Sequence, residues 1–270
     1  MDTKLEGRRA LIVGGSSGIG RAIAEGLAAE GVDVAIASRG DDNGTLDALR
    51  AHGRRSVHIR GDVSSEHGAE TLVSAAETSL GGLDLLVNAA AVRLNEPITR
   101  LSARSLEATF ATNVAGCIYL CRAAARRFIA GGQGAIVLVG STATVSAQPG
   151  ETAYRASKAA LRAHLEVMAV ELASFGIRAN LVTPGATDTP FIAGLGEAQR
   201  TRAIEEIPLG REARTDEIAG AAVFLLSDHL ASYITGTELL VDGGLHLRPI
   251  FGGSRADLRA MNATDRGPTA

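Results

Sequence analysis

The sequence has no tryptophan, three tyrosines, two cysteines and two lysines among its 270 residues. Cys117 and Cys121 alone offer no disulfide framework. No uninterrupted apolar run reaches the roughly 18 residues of a membrane span. The opening segment from Met1 to Arg9 lacks the apolar centre of a signal peptide. Neither sign of charge dominates: 27 Lys+Arg stand against 30 Asp+Glu, a formal net charge of -3. That balance argues against nucleic-acid binding, which needs a surplus of Lys and Arg to neutralise phosphates. His52, His58, His67, His164, His229 and His246 are scattered without ligand spacing, which argues against a catalytic metal. These absences predict a cytoplasmic protein with no membrane or nucleic-acid partner.

What is present is 46% hydrophobic residues and 32 glycines, enough apolar chain to bury a large core without staples. Nearly all the basic residues are arginine. The two lysines are Lys4 and Lys158, and the three tyrosines are Tyr119, Tyr154 and Tyr233. In a chain so biased toward arginine, a mid-chain lysine suggests a role special to a compact ammonium whose pKa can shift.

Short apolar runs alternate with helix-length segments. Residues 9–13, 32–37, 56–60, 83–87, 134–139, 177–182 and 238–241 read as strands, with helices over about 20–30, 102–130, 151–175 and 215–227. Unbroken apolar strands separated by helices predict an α/β fold: a single-domain, doubly wound (Rossmann-type), seven-stranded parallel sheet with helices on both faces. Such a sheet places ligands at the carboxyl ends of its strands. The domain is expected to span 1–246. Residues 247–270, rich in Gly, Arg, Ala and Pro, read as a C-terminal tail that is either loose or folded over its own or a neighbour's site.

Between the first strand and first helix lies Val13-Gly14-Gly15-Ser16-Ser17-Gly18-Ile19-Gly20. Glycines there let the backbone turn tightly and bring N–H groups to a pyrophosphate at the positive end of a helix. A Gly-rich string alone is a weak signal, but strand before and helix after is the context that confirms it. After the second strand, an acidic residue would favour NAD by accepting ribose hydroxyls. The chain has Ser38-Arg39, a hydroxyl and a guanidinium suited to a 2′-phosphate, which predicts NADP(H) with NAD(H) as the alternative. The competing readings are a surface arginine at 39, and Asp41 or Asp42 as helix caps or ribose ligands.

Tyr154 and Lys158 are four apart in an alanine-rich helical segment, so both project from one face. A neighbouring ammonium favours phenolate, and is expected to draw the tyrosine pKa down from about 10. Ser141 follows the fifth strand, where the ligand crevice should open, and its hydroxyl can hold a substrate oxygen.

With Gly14-x-x-x-Gly18-x-Gly20, Asp62-Val63, Asn88, Asn113, Ser141, Tyr154-x-x-x-Lys158, Pro184-Gly185, Thr189 and Asp242-Gly243-Gly244 in order, residues 5 to about 246 resemble the short-chain dehydrogenases/reductases. The resemblance is to the group containing 3-oxoacyl thioester reductases and secondary-alcohol or sugar dehydrogenases. It implies that Tyr154 protonates the substrate oxygen and Ser141 orients it. It further implies that Lys158 binds the nicotinamide ribose and that Asn113 holds a water in a proton relay. By the same resemblance Gly14, Ser16, Ser17, Gly18, Ile19 and Gly20 cradle the cofactor, and Asp62 and Val63 meet adenine. Asn88, Ala89 and Ala90 would flank the cofactor, with Pro184, Gly185, Thr187 and Thr189 on the nicotinamide side. A homotetramer or homodimer through the long helices and the last strand is also implied. Three positions depart from the family pattern: Val13 replaces Thr, and Ala89 and Ala91 replace the second Asn and the Gly of an Asn-Asn-Ala-Gly run.

The resulting expectation is an NADP-dependent oxidoreductase interconverting a ketone and a secondary alcohol. The alternatives are an NAD-linked sugar or polyol dehydrogenase, and a nucleotide-binding sensor without catalysis. Several other residues carry readings. Cys117 and Cys121 are expected to be buried small side chains, and Arg122, Arg126 and Arg127 a solvated or intersubunit helix face. Arg93 either faces the pocket, favouring an anionic substrate, or lies on the surface. Phe191, Ile192 and Leu195 belong either to a lid or to a packed helix.

Overall fold

Side chains along a strand point alternately to the two faces of a sheet, so a strand buried on both faces must be apolar at every position. In the computed structural model, which describes residues 2–190 and 196–247, the inner strands are buried almost throughout and the two edge strands only in part. The strands are β1 (Arg9–Val13), β2 (Asp33–Ser38), β3 (Ser56–Arg60), β4 (Leu85–Asn88), β5 (Gly134–Val139), β6 (Ile177–Pro184) and β7 (Glu238–Val241). They form one parallel sheet in the order β3-β2-β1-β4-β5-β6-β7. The predicted fold class is therefore the observed one.

Two cores lie on opposite faces. Leu11, Val13, Ala35, Ala37, Ile136 and Leu138 face α3 (Glu66–Leu80), α5 (Gly116–Gly131) and α6 (Thr152–Ala173). Their strand neighbours Ala10, Ile12, Val34, Ile36, Ala135 and Val137 face α1 (Gly18–Ala29), α2 (Thr45–Arg50) and α8 (Thr215–Leu226). Burying a side chain of this kind contributes about 1.5–3 kcal/mol, so both helical layers are held by the sheet itself. Among the described residues no helix is long and apolar enough to cross a membrane.

The helix expected over 102–130 is interrupted in its geometry though not in its path. α4 (Ala103–Phe110) runs into α5 through a five-residue π segment, Ala111–Ala115, which widens the turn around Asn113. Such insertions concentrate at functional sites. A further helix, α7 (Glu197–Glu205), follows β6. The carboxyl ends of β1, β2, β4, β5 and β6 open on one side, and the strand order reverses between β1 and β4, the position where open α/β sheets bind ligands. Leu247 closes a short 3₁₀ turn, Leu245–Leu247. The expected tail beyond it, and the expected lid residues Phe191, Ile192 and Leu195, lie outside the described residues.

Candidate active site

A cavity of about 880 Å³ runs along this edge of the sheet. Gly14, Ser16, Ser17, Gly18, Ile19, Gly20, Ser38, Arg39, Asp62, Val63, Ala89, Ala90, Ser141, Tyr154, Lys158, Pro184, Gly185, Thr187 and Thr189 all line it. Asn88 and Asn113 are buried behind that wall.

At one end the Gly-rich turn packs against the β4 loop. Gly14 has a φ of +83°, and a Cβ on it would lie 2.7 Å from the backbone nitrogen of Ala90. A Cβ on Gly20 would lie 2.2 Å from the Gly14 carbonyl oxygen. Side chains would therefore close the approach between the turn and the first turn of α1. Ser17, the cap residue of α1, supplies no side-chain hydrogen bond to the helix, and no acidic residue occupies the first turn. The N–H groups and positive dipole end of α1 thus face the cavity without a competing carboxylate, a donor set that fits a pyrophosphate. Across the cavity, the Thr189 methyl lies 3.3 Å from where a Cβ of Gly18 would sit, so the loops after β1 and β6 converge.

The adenosine end differs in detail from the sequence expectation. The Ser38 hydroxyl donates to the Gly40 carbonyl at 2.9 Å and lies 2.8 Å from His58 Nε2. It is engaged in its own turn, so the guanidinium of Arg39, exposed on the cavity wall, is the cation available at this end. Asp42 accepts the Leu46 N–H at 3.0 Å and so supports α2, which leaves Asp41 lining the cavity. Asp62 lines it as well, its carboxylate accepting the Ser64 N–H at 2.9 Å.

At the other end α6 presents Tyr154 and Lys158 side by side, both buried. The Lys158 ammonium donates to the Val139 carbonyl at 2.8 Å and lies 5.7 Å from the centre of the Tyr154 ring. Burial lowers the Lys158 pKa to about 8. Burial also raises the Tyr154 pKa, opposed by a hydrogen bond from Ser141 and the field of Arg93, and reinforced by Glu151. The expected lowering of the phenol by Lys158 is thus not what the structure displays. Withdrawal from water disfavours the charged form of both groups. Ser141 begins a 3₁₀ turn, Thr142–Thr144, where its oxygen accepts the Ala143 N–H at 3.1 Å and its own proton is free for Tyr154 or a ligand.

Residues 13–246 match the family described as enoyl-(acyl carrier protein) reductase. Carbonyl reductase family member 4 of Danio rerio is 38% identical over 240 residues, covering 89% of this chain and 98% of that one. D-threitol dehydrogenase of Mycolicibacterium smegmatis is 35% identical over 251 residues, covering 92% and 96%. A short-chain dehydrogenase from Burkholderia cenocepacia, solved in complex with NADP, superposes with a TM-score of 0.83 at 34% identity, covering 90% and 99%. This chain belongs to the short-chain dehydrogenase/reductase family. It is an NAD(P)-dependent oxidoreductase acting on alcohols and ketones.

Against that family pattern, the three departures sit where the two loops meet. Val13 is buried in the core. Ala89 donates its N–H to the Val13 carbonyl at 2.8 Å and packs against the first turn of α1, where its methyl is 3.1 Å from the space beside Gly20. Ala91 lines the cavity. Asn113, in the π segment, accepts the Val92 N–H at 2.8 Å and donates to the Val92 carbonyl at 2.9 Å and to Ser157 Oγ at 3.0 Å. Both of its donors are engaged, so its side chain clamps the loop after β4 to α6.

Arg122 and Arg126 are exposed, in keeping with a solvated face. Arg122 and Arg127 reach across to Glu66 and Glu70 of α3, so their guanidinium groups join two helices of one subunit. Cys117 and Cys121 are buried as expected. His164, read as isolated, comes from α6 to lie with them, the three donor atoms within 4.8 Å of one another. That proximity was hidden because it joins two helices. Arg93 is at the cavity wall, in an ion pair of 3.1 Å with Glu151. The sequence reading missed Glu151 altogether. Its signal was an acidic residue three positions before Tyr154, on the same helical face.

Proposed function

We propose that the chain interconverts a ketone and a secondary alcohol with NADP(H), using Tyr154 as the proton donor and acceptor. The observation that carries this reading is the contact of the Ser141 hydroxyl with the Tyr154 oxygen on the cavity wall, beside the buried Lys158. A bound nicotinamide dinucleotide supplies or takes up the hydride. Tyr154, held mainly neutral by burial, gives its proton to the substrate oxygen as charge grows there. Ser141 donates to the same oxygen and fixes its position. Lys158 has three N–H donors, one spent on Val139, and the others can hold ribose hydroxyls. Asn113 keeps the loop after β4 and the catalytic helix in register through Val92 and Ser157.

Arg39 supports the preference for NADP(H), because it puts a guanidinium on the cavity wall directly after β2, where an NAD-selecting carboxylate would stand, although Asp41 also lines this end. Asp62 and Val63 would meet the adenine, and Pro184, Gly185, Thr187 and Thr189 the nicotinamide. Apolar side chains left exposed on the outer faces of the long helices support a homodimer or homotetramer. Leu106 of α4, Ile118 and Ile129 of α5, and Val167 and Val170 of α6 are all exposed, Val170 by 80%.

Tyr154→Phe is expected to lower ketone reduction by about a thousandfold, the scale of a lost general acid, with NADPH binding retained. NADPH absorbance followed with a panel of ketones reads this, and unchanged turnover would refute the assignment. Arg39→Ala is expected to weaken NADPH roughly tenfold to a hundredfold, the scale of a charge-assisted hydrogen bond, leaving NADH as it was. Fluorescence titration with both dinucleotides tests this, and an intact NADPH preference would contradict it. Sedimentation at micromolar concentration should give a dimer or tetramer, and monomer alone would count against the helical interface.

A further inference from the structure

Arg93 and Glu151 are an ion pair inside the cavity rather than on its outer surface. Their side chains are 18% and 6% exposed, and Arg93 Nε lies 3.1 Å from Glu151 Oε1. Arg93 comes from the loop after β4, the loop held by Asn113 through Val92. Glu151 stands at the N-terminal flank of α6 without a capping bond from its side chain, three residues before Tyr154 and on the face that carries the phenol. Burial pushes the Glu151 pKa up, and the fields of Arg93 and Arg155 pull it back. Ser146, Gln148, Arg202 and Glu206 add polar side chains to the same cavity.

We infer that Arg93 and Glu151 form a hydroxyl-recognition subsite next to Tyr154, and that the substrate is a neutral, hydroxylated ketone or alcohol of the sugar or polyol class. The inference rests on the oxidoreductase reading above and names its substrate class. A hydroxyl group needs a donor for its oxygen and an acceptor for its proton. A guanidinium beside a carboxylate offers both at once. The opposed charges cancel locally, so a substrate carboxylate would meet Glu151 as well as Arg93, and a cation the reverse. The anionic substrate expected from Arg93 alone is therefore disfavoured by its partner. An acyl or steroid skeleton laid here would bury both charged groups against carbon and gain no hydrogen bond in return. The pair also bears on the reaction itself, since Arg93 favours the Tyr154 phenolate and Glu151 opposes it.

The test uses the full chain with NADPH and three ketones of one ring size: cyclohexanone, 2-hydroxycyclohexanone and 3-oxocyclohexanecarboxylate. The hydroxyketone is expected to show a kcat/KM roughly tenfold or more above that of cyclohexanone, a difference of about one buried hydrogen bond, and also above that of the carboxylate. Glu151→Gln and, independently, Arg93→Met should bring the hydroxyketone-to-cyclohexanone ratio close to one. Glu151→Gln should also shift the pH profile of kcat to lower pH and Arg93→Met to higher pH, which a merely structural role would not do. Cyclohexanone or the carboxylate as the preferred substrate, or a ratio unchanged in both variants, would overturn the inference while leaving the oxidoreductase reading in place. Absence of NADPH oxidation with all three would overturn both.

Discussion

Two ionisable side chains, Tyr154 and Lys158, are shut away from water one helical turn apart, at the edge where the strands give way to loops. Lys158 is 3% exposed and bonded to the Val139 carbonyl at the end of β5, which pins α6 to the sheet. Burial of an ammonium and a phenol together disfavours the charged form of each: the lysine is pushed down to about 8 and the tyrosine up. A phenol in that condition holds its proton more firmly than one in water. The Ser141 hydroxyl and the Arg93 guanidinium pull the other way, so the readiness of Tyr154 to ionise is a balance of burial against specific neighbours.

The rest of the fold serves to bring loops to that edge. A parallel sheet aligns the carboxyl ends of its strands, so the turns after β1, β4, β5 and β6 converge on one cavity. The bare backbone at Gly14 and Gly20 lets the first and fourth loops touch, while Asn113 ties the fourth loop to α6. The widened π turn at Ala111–Ala115 puts Asn113 in that position. The Gly-rich turn, Tyr154 and the Arg93–Glu151 pair are thereby parts of one contiguous wall.

Much of this was legible in the residues. The strands at 9–13, 56–60, 134–139 and 238–241 coincide with the observed ones: the inner runs at 9–13 and 134–139 are buried on both faces, and the edge runs at 56–60 and 238–241 are short segments only half-buried. Tyr154 and Lys158 could be paired because their spacing is local. What was not legible is what depends on partners distant in sequence. Ser38 turned to His58, Arg93 to Glu151, and Arg122 and Arg127 to α3, contacts that no local spacing encodes. The direction of the Tyr154 shift was misjudged for the same reason, since proximity of a cation is visible in sequence and depth of burial is not.

The chain contains two lysines, one exposed at position 4 and one buried at 158, which makes the central claim directly measurable. Protein labelled with ¹³C at the lysine ε-carbon should give two resonances, each titrating on its own. Lys158 is predicted to lose its proton near pH 8, and Lys4, whose ion pair with Asp2 raises its pKa, only above the ordinary value of 10.5. Two lysines titrating together above 10.5 would mean that the ammonium beside Tyr154 is solvated, contradicting the account.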